Sequence, residues 1–387
     1  MMPFLLALFA PATAAAFERC LAQLRQQASG HGVSHATFDR HTRGLAPDRG
    51  VVGFLDAQPE FRTPIWDYMA GLVDEERVAD GRARFAQWRP TLAAIERQFG
   101  VDPAVVVAVW GVETDYGRTV GRRPLVTSLA TLSCFGRRQT FFRGELFAAL
   151  KILEGGHVAP ERLVGSWAGA FGHTQFMPST FRRLAVDFDG DGRRDLMDSV
   201  PDALASTANY LRRAGWRTGE AWGVEVVLPA GFNRQADRRN KVAVGEWARR
   251  GVRRADGRAL SGGDRRAGLI LPAGREGPAF LVFRNFDALY SYNPAESYAL
   301  AIAHLADRIR GGGPFVTPWP TDDPGLSRAE RREVQRRLIE RGFAVGEVDG
   351  ILGANTRKAI REWQQSQGMK ADGRAGQALL RRLRGGG

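Results

Sequence analysis

Residues 104–118 read AVVVAVWGVETDYGR, a run of seven apolar residues followed closely by a carboxylate. Asp102 and Pro103 come directly before the run, in the order typical of a helix start, with an aspartate as cap and a proline in the first turn. An apolar run of this length predicts a helix packed into the core. Glu113 stands at the end of that helix, so the sequence places a carboxyl group at the edge of the core.

Glu113 has two interpretations. It is either a helix-end carboxylate that reaches solvent, or a general acid whose burial against Trp110 and Val112 favours its protonated form. Asp115, two positions further on, is expected to point to another side of the helix and is the weaker candidate. The choice depends on what the rest of the chain places near Glu113.

Composition narrows the class of protein. The chain has 387 residues, enough for two or three domains, and 44% of them are hydrophobic, which is normal for a globular protein. It holds 51 arginines and four lysines against 42 acidic residues, for a net charge of +13. That charge suits a polyanion: nucleic acid, an anionic membrane surface or a carboxylate-rich cell-wall polymer. Nucleic acid is not expected, because the chain has no base-reading motif and carries an acidic loop.

The N-terminus predicts a signal peptide over residues 1–16. An apolar core at residues 3–10 precedes Pro11 and a series of small residues, so the mature chain is expected to begin near Phe17 in an oxidising compartment outside the cytoplasm. A buried N-terminal helix is the alternative. The apolar core is too short to span a bilayer, and no other stretch is long and apolar enough to do so, so no transmembrane segment is expected.

Two cysteines, Cys20 and Cys134, are predicted to form a disulfide in that compartment, with two free buried thiols as the alternative. Cys20 is not expected to carry a lipid. Arg19 stands directly before it, where a lipidation motif needs a small residue.

The rest of the pattern predicts an α+β fold that is mainly α. Residues 17–310 are mostly helical in pattern, and short β-prone runs between about 222 and 286 predict a small inserted sheet. Residues 311–325, GGGPFVTPWPTDDPG, predict a flexible interdomain linker. Residues 326–384 contain three short amphipathic segments, which predict a separate three-helix bundle.

The stretch GSWAGAFGHTQFMPS, residues 165–179, suits a sugar polymer. Its glycines let a chain approach the backbone, and Ser166 and Gln175 offer hydrogen bonds to hydroxyl and acetamido groups. Together with VWGVETDYG at 109–117, this stretch resembles the B-type lytic murein transglycosylases, whose catalytic domain has a goose-lysozyme-like fold. The resemblance continues through STANYLRRAGW (206–216) and SYNPAESYALAIAHLADRI (291–309).

The resemblance implies that Glu113 is the catalytic acid and base and that Ser166 helps to orient the substrate. For Phe171 and His173 it implies no role, because relatives vary at these positions. The other residues that it places along the glycan groove are Gln175, Tyr210, Tyr292 and Asn293. For Tyr210 a place in the core is the alternative, and for Asn293 a helix cap.

The implied reaction cleaves the MurNAc–GlcNAc β-1,4 bond of peptidoglycan and leaves a 1,6-anhydro-MurNAc end, for cell-wall remodelling or turnover in the periplasm. One carboxylate suffices because the nucleophile is a hydroxyl of the substrate, whereas an ordinary glycosidase pairs two carboxyl groups. No cofactor is required for this chemistry. A muramidase that uses water and a non-catalytic murein-binding scaffold are the alternatives.

Residues 187–198, DFDGDGRRDLMD, have the spacing of a calcium loop. The expected ligands, at positions 1, 3, 5, 7, 9 and 12, are Asp187, Asp189, Asp191, the Arg193 carbonyl, Asp195 and Asp198. B-type relatives carry a similar loop here, so a weak structural calcium site is expected. An acidic turn held by neighbouring arginines is the alternative.

The C-terminal bundle resembles the three-helix peptidoglycan-binding domain. The Asp349–Gly350 turn, and Thr356 before the helix that carries Trp363, match its pattern. The implied partner is the glycan strands of peptidoglycan, and cell-wall synthesis or division proteins are further candidates. A bundle that only aids folding or binds another partner is the alternative.

Overall fold

The computed structural model of the chain describes residues 9–56 and 63–385. The fold is mainly helical with small sheets, as the sequence predicts. The helices, in chain order, are α1 (Phe9–Ala28), α2 (His35–Thr42), α3 (Gly50–Gly53), α4 (Ile65–Leu72), α5 (Glu75–Gln87), α6 (Arg89–Phe99), α7 (Pro103–Thr114), α8 (Leu125–Cys134), α9 (Gln139–Glu154), α10 (Pro178–Leu184), α11 (Val200–Arg213), α12 (Val244–Arg249), α13 (Arg284–Tyr292), α14 (Glu296–Ile309), α15 (Arg328–Glu340), α16 (Ala354–Ser366) and α17 (Gln377–Leu383). The strands are β1 (Arg123–Pro124), β2 (Val164–Gly165), β3 (Gly223–Val227), β4 (Asp237–Ala243), β5 (Arg253–Arg254), β6 (Arg266–Ile270) and β7 (Ala279–Val282).

The chain divides into two compact units. The first holds residues 1–59 and 88–213, and the second holds residues 60–87 and 214–387. This division follows contacts in space, so the second unit includes α4, α5, the inserted sheet and the C-terminal bundle. The order of domains along the chain stays a prediction.

Helix α7 lies in the first unit and begins where the sequence predicts. The Asp102 side chain accepts a hydrogen bond from the Ala104 amide at 2.8 Å, and Pro103 is the first helical residue. Residues 104–111 are all buried, so α7 is packed on every side along most of its length. That packing explains why the run carries no polar face.

The start of the first unit is helical from Phe9 onward. Phe17 is buried and stacks on Phe135, so the predicted cleavage point falls within α1; residues 1–8 of the predicted signal peptide lie outside the described residues. A disulfide joins Cys20 on α1 to Cys134 at the end of α8, with 5.9 Å between the Cα atoms. Within the described part of the chain, no helix combines the length and apolar character needed to cross a membrane.

The second unit contains the sheet that the sequence predicts between residues 222 and 286. Its strand order is β4-β6-β7-β3-β5, and the neighbouring strands pair antiparallel. One face packs against α12, where Trp247 is buried among Val226, Leu269 and Leu281. The sheet has a core of its own within the unit.

The C-terminal bundle consists of α15, α16 and α17. Ser327 starts α15 with a capping box to Glu330, which satisfies two backbone donors at the helix start. Val334, Ile360 and Leu380, one from each helix, are fully buried together. The amphipathic spacing in the sequence thus corresponds to one shared core.

The predicted linker, residues 311–325, makes specific contacts within the second unit. The Phe315 ring stacks on His304 with 3.8 Å between centroids, and the amides of Val316 and Thr317 donate to the Glu225 carboxylate at 2.8 and 2.7 Å. Glycine and proline content correctly indicates that no helix or strand forms here. It does not report the aromatic and backbone contacts that the segment makes, and its flexibility stays a prediction.

Arginines fix the bundle to α4 and α5 within the same unit. Arg374 binds the Asp67 carboxylate through Nε and Nη2, both at 2.9 Å. Arg328, at the start of α15, reaches Glu76 at 3.3 Å and Asp80 at 3.1 Å. The bundle is therefore docked by charge-assisted contacts.

Candidate active site

Glu113 is half-buried in the last turn of α7, and no basic residue shares that turn. The C-terminal end of a helix carries partial negative charge, which favours the neutral form of a carboxyl group there. Asp115 lies just beyond the helix with a left-handed backbone, φ 51°, and its carboxylate is 3.4 Å from Arg118. The two acids therefore occupy different environments.

The chain turns sharply after α7. Tyr116 is also left-handed at φ 57°, and its buried ring packs edge-on against Trp110 with 5.8 Å between centroids. A Cβ on Gly111 would lie 2.6 Å from the Tyr116 ring, so glycine is needed for this approach. The turn places the Tyr116 ring against the end of the helix that carries Glu113.

Residues 165–177 form a compact loop in the same unit. Strand β2 pairs with β1, and Phe171 makes bridges to Gly165 and to Phe176, which fold the loop back on itself. Ser166 holds the bend, because its Oγ accepts from the Ala170 amide at 3.0 Å and its own amide donates to the Ala170 carbonyl at 2.8 Å.

Gln175 sits in this loop in a left-handed conformation, φ 51°. Its Nε2 donates to the carbonyls of Val120 at 3.1 Å and Gly172 at 3.0 Å. With the amide nitrogen engaged by the backbone, the side-chain carbonyl is the atom suited to accept a hydrogen bond from a ligand.

The loop is bound to the end of α7. The Trp110 indole N–H donates to His173 Nδ1 at 3.1 Å, and the Thr114 hydroxyl donates to the His173 carbonyl at 2.6 Å. These contacts bring the segment that carries Ser166 and Gln175 to the helix end that carries Glu113. No sequence signal predicts these contacts, since a lone histidine in a loop has many possible partners.

Tyr210 lies in the first unit, whereas Tyr292 and Asn293 lie in the second. Tyr210, half-buried on α11, has its ring 6.0 Å from Phe176 and so joins the loop of the first unit. Tyr292 ends α13 in the second unit, where it stacks 6.4 Å from the buried ring of Tyr298, a residue that the sequence reasoning did not single out. Asn293 is the C-cap of α13, whereas the N-cap of the following helix is Ala295.

The acidic loop brings together part of the predicted ligand set. Carboxylate oxygens of Asp187, Asp189 and Asp202 lie within 4.8 Å of one another. Asp202, which the sequence reasoning missed, is fully buried and accepts the amides of Phe188 and Asp195. Burial raises the pKa of the Asp202 carboxyl. Counting twelve positions could not find Asp202, because it lies past the end of the loop in the first turn of α11.

The other predicted ligands face elsewhere. The carboxylate of Asp198, the expected twelfth position, pairs with Arg162 instead. Asp191 pairs with Arg193 at 3.2 Å, and Asp195 accepts the amides of two residues that follow it. Asp198 as the closing ligand stays a prediction, and in this structure the Arg162 guanidinium engages its carboxylate.

A cavity of about 320 Å³ lies in the C-terminal bundle, between α15 and the start of α16. Buried Gln335 accepts the Gly350 amide at 2.7 Å and donates to Asp349 at 2.9 Å, which fixes the turn that the sequence singled out. Thr356 lines the same cavity, whereas Trp363 is part of the core.

Comparison with known proteins identifies both parts of the chain. The family described as Transglycosylase SLT domain matches residues 16–307, and a peptidoglycan binding domain family matches residues 327–383. Membrane-bound lytic murein transglycosylase B of Escherichia coli (strain K12) is 33% identical over 248 residues, which are 62% of this chain and 66% of that protein. This chain thus spans just under two thirds of that relative's length.

Two solved structures extend the likeness. SltB3 of Pseudomonas aeruginosa, in complex with NAG-anhNAM-pentapeptide, is 49% identical with a TM-score of 0.77, and the match covers 95% of this chain and 99% of that one. The Escherichia coli lytic transglycosylase Slt35, in complex with calcium, is 28% identical with a TM-score of 0.66, covering 75% and 92%. The chain therefore belongs to the lytic transglycosylase family, lyases that act on peptidoglycan, which confirms the predicted membership.

Proposed function

We propose that this chain cleaves the MurNAc–GlcNAc β-1,4 bond of peptidoglycan, forms a 1,6-anhydro-MurNAc end, and uses Glu113 alone as acid and then base. One observation carries the assignment of Glu113: it is half-buried at the end of an otherwise apolar helix, and that helix end is bound to the loop holding Ser166 and Gln175. To act first as an acid, this carboxyl group has to hold its proton until the substrate arrives.

The reaction then needs one carboxyl group. Glu113 donates its proton to the glycosidic oxygen, the bond from C1 of MurNAc to that oxygen breaks, and GlcNAc leaves with a free 4-hydroxyl. The substrate's acetamido oxygen stabilises the cationic sugar. The C6 hydroxyl of the same MurNAc attacks C1 to close the anhydro ring, and its proton returns to Glu113. Water must be excluded from the site, because hydrolysis competes with ring closure.

Ser166, Gln175, Tyr210, Tyr292 and Asn293 are proposed to contact the glycan. In the first unit, the Gln175 carbonyl is suited to accept a sugar hydroxyl or acetamido N–H, and half-buried Tyr210 offers a ring face beside Phe176. The SltB3 structure supports the product, because its ligand contains an anhydro sugar and the two proteins are 49% identical over 95% of this chain.

The test replaces Glu113 by Gln and Asp115 by Asn, and measures the products released from purified sacculi by mass spectrometry. Glu113→Gln is expected to reduce release by at least about a thousandfold, since both proton transfers are lost. Asp115→Asn is the matched control: asparagine also tolerates the left-handed backbone at this position, and activity is expected to stay within about threefold of wild type.

Each alternative function gives a distinct result. Products that end in an intact reducing sugar would select a muramidase. Unchanged release by Glu113→Gln would remove Glu113 from catalysis, and a chain with no release in any form would be a murein-binding scaffold. Loss of one water from the terminal MurNAc, in the wild type only, identifies the proposed reaction.

We further propose a structural calcium site at Asp187, Asp189 and Asp202. Carboxylate oxygens are ligands that calcium prefers, and three of them converge here. Slt35, which shares the fold at 28% identity, is seen in complex with calcium. The ion would tie the first turn of α11, the helix that also carries Tyr210, to the start of the acidic loop.

Calcium is tested by thermal unfolding with and without millimolar CaCl₂. The wild type is expected to gain several degrees, because an ion that binds only the folded state stabilises it. Asp189→Asn should lose this gain, whereas Asp198→Asn, whose carboxylate faces Arg162, should keep it. The reverse pattern would restore the ligand set expected from loop spacing.

The C-terminal bundle is proposed to bind peptidoglycan through the cavity beside Asp349 and Thr356, and the protein to act in the periplasm after removal of a signal peptide. The disulfide between Cys20 and Cys134 supports an oxidising compartment. Cell-wall synthesis or division proteins are candidate partners. Sedimentation with sacculi of wild type and Asn355→Arg tests the cavity, because Asn355 is exposed and lines it, so a bulky charge there should weaken binding.

A further inference from the structure

His173 lies at the centre of the loop that contacts α7. Trp110 donates its indole N–H to Nδ1 of His173 at 3.1 Å, and the two rings meet edge-on with 5.5 Å between centroids. An indole N–H can only donate, so Nδ1 must be the acceptor and the neutral imidazole carries its proton on Nε2. The contact thus requires one tautomer of His173.

The main chain of the same residue makes two more contacts. Its carbonyl accepts from the Thr114 hydroxyl at 2.6 Å, and its amide donates to the Leu196 carbonyl at 2.8 Å. Thr114 Oγ1 in turn accepts from the Gly117 amide at 3.0 Å. His173 therefore joins the end of α7, the turn that follows it and the segment around Leu196.

Gly117 shows how closely the ring sits on this turn. A Cβ there would lie 2.6 Å from Cε1 and Nδ1 of His173, so the imidazole rests directly on the backbone four residues after Glu113. Glu113 follows Trp110 by three positions and precedes Thr114, and both of these neighbours bind His173.

We propose that His173 is a positioning residue that fixes the orientation of the α7 end, and with it the Glu113 carboxyl group, relative to the loop holding Ser166 and Gln175. This inference rests on the proposed catalytic role of Glu113. His173 itself transfers no proton in the reaction: its Nδ1 stays the acceptor for Trp110 throughout. A small displacement of a catalytic group costs up to about a hundredfold in rate, so the effect should appear in kcat.

Three variants isolate the Nδ1 acceptor. In His173→Asn the side-chain oxygen falls where Nδ1 lies, in His173→Gln the amide extends one bond further, and His173→Phe keeps a ring without an acceptor. We expect kcat on soluble glycan strands to fall about 10- to 100-fold in the Phe and Gln variants, with KM within about threefold of wild type. The Asn variant should recover most of the loss.

The indole proton of Trp110 gives a direct readout. In protein labelled with ¹⁵N-tryptophan, the Trp110 indole signal, assigned as the one missing from Trp110→Phe, should shift and exchange faster with solvent in the Phe and Gln variants. It should stay close to the wild-type position in the Asn variant. A residue that only stabilised the fold would lower the melting temperature without separating Asn from Gln.

Wild-type kcat in both His173→Gln and His173→Phe overturns the proposal, as does an equal loss in the Asn and Gln variants. If the Phe variant does not fold, the Asn and Gln pair decides alone. Failure of the catalytic assignment is recognised separately, because Glu113→Gln would then remain active while the His173 variants could still shift the Trp110 signal.

Discussion

Where the loop of residues 165–177 meets the end of α7, the described contacts are made by neutral groups at short range: an indole on an imidazole, a hydroxyl on a carbonyl. Where the C-terminal bundle meets α4 and α5, the contacts are arginine on carboxylate, with Arg374 on Asp67 and Arg328 on Glu76 and Asp80. The first arrangement depends on close packing of buried and half-buried neutral groups, and the second on charge between groups that range from buried Arg328 to exposed Glu76.

The two sets of contacts differ because the two regions keep different groups in position. The proposed role of Glu113 requires its carboxyl group to hold a proton, and neutral groups at the helix end suit that role better than cations, which favour the ionised form. At the bundle, guanidinium–carboxylate pairs are directional, and the bidentate pair of Arg374 with Asp67 helps to fix its orientation. The two regions should therefore respond in opposite ways to packing changes and to salt.

Substituting a matched pair of glycines should give the largest difference. Ala at Gly117, φ +88°, is strained by the left-handed backbone and would press its Cβ against the His173 ring. We expect a loss of about 3 kcal/mol in the free energy of unfolding of the first unit, and at least a tenfold loss of kcat. Urea unfolding and turnover of soluble glycan strands measure the two effects.

Gly71 on α4 is the counterpart at the docked bundle. Its Cβ would overlap the Arg331 guanidinium, which is the end of a flexible side chain and can move, and Ala improves the helix by up to about 1 kcal/mol. The net change for Gly71→Ala should stay within about 1 kcal/mol, with kcat unchanged. Equal losses at the two glycines would contradict the contrast between rigid and adjustable contacts.

Removing the Arg374 guanidinium should have an intermediate effect that depends on salt. The Asp67 partner, whose side chain is only 13% exposed, would lose two hydrogen bonds, so Arg374→Leu should cost the second unit about 1–2 kcal/mol at low salt. The difference from wild type should shrink in 1 M NaCl, because these partly exposed charges are screened. Hydrogen exchange of α4 and of residues 326–384 reports the change.

Arg381→Leu is the control, since Arg381 is exposed on α17 of the same bundle. It should leave exchange in α4 unchanged at either salt concentration. If Arg374→Leu also leaves hydrogen exchange in α4 unchanged, the bundle is held by contacts other than the Arg374–Asp67 pair.

Sequence reasoning located the site through local signals and missed the contacts between distant segments. The cap at Asp102, the apolar run and the position of Glu113 are all readable within 15 residues, because helix starts and core helices have local composition. The bond from Trp110 to His173 joins residues 63 positions apart, and no periodicity marks it. The sequence shows a glycine at position 117, but it does not show that the His173 ring lies against it.

The same limit explains the acidic loop and the linker. Asp187 and Asp189 follow the calcium-loop spacing, whereas Asp202 belongs to the next helix and joins them only when α11 folds back on the loop. Residues 311–325 have the composition of a linker, but the Phe315 ring stacks on His304 of α14. In both cases the local sequence indicates the character of the segment but not the residue it contacts, which is Asp202 for the acidic loop and His304 for residues 311–325.

The smallest effect concerns that linker contact and pH. Burial, with a further contribution from nearby Arg308, lowers the pKa of His304 to about 3 from its ordinary value of 6.5. The unfolded chain therefore binds a proton that the folded chain does not, so the stabilisation is complete above pH 6.5 and is lost as the pH falls toward 3. Between pH 7.5 and 6 the free energy of unfolding should fall by about 0.8 kcal/mol.

His304→Phe keeps a ring against Phe315 and removes the titrating group. In this variant, residues 311–325 should therefore show a smaller rise in pH-corrected hydrogen exchange over this range. An equal rise in the two proteins would mean that His304 protonation does not destabilise this segment, and that the acid sensitivity of the linker comes from another group.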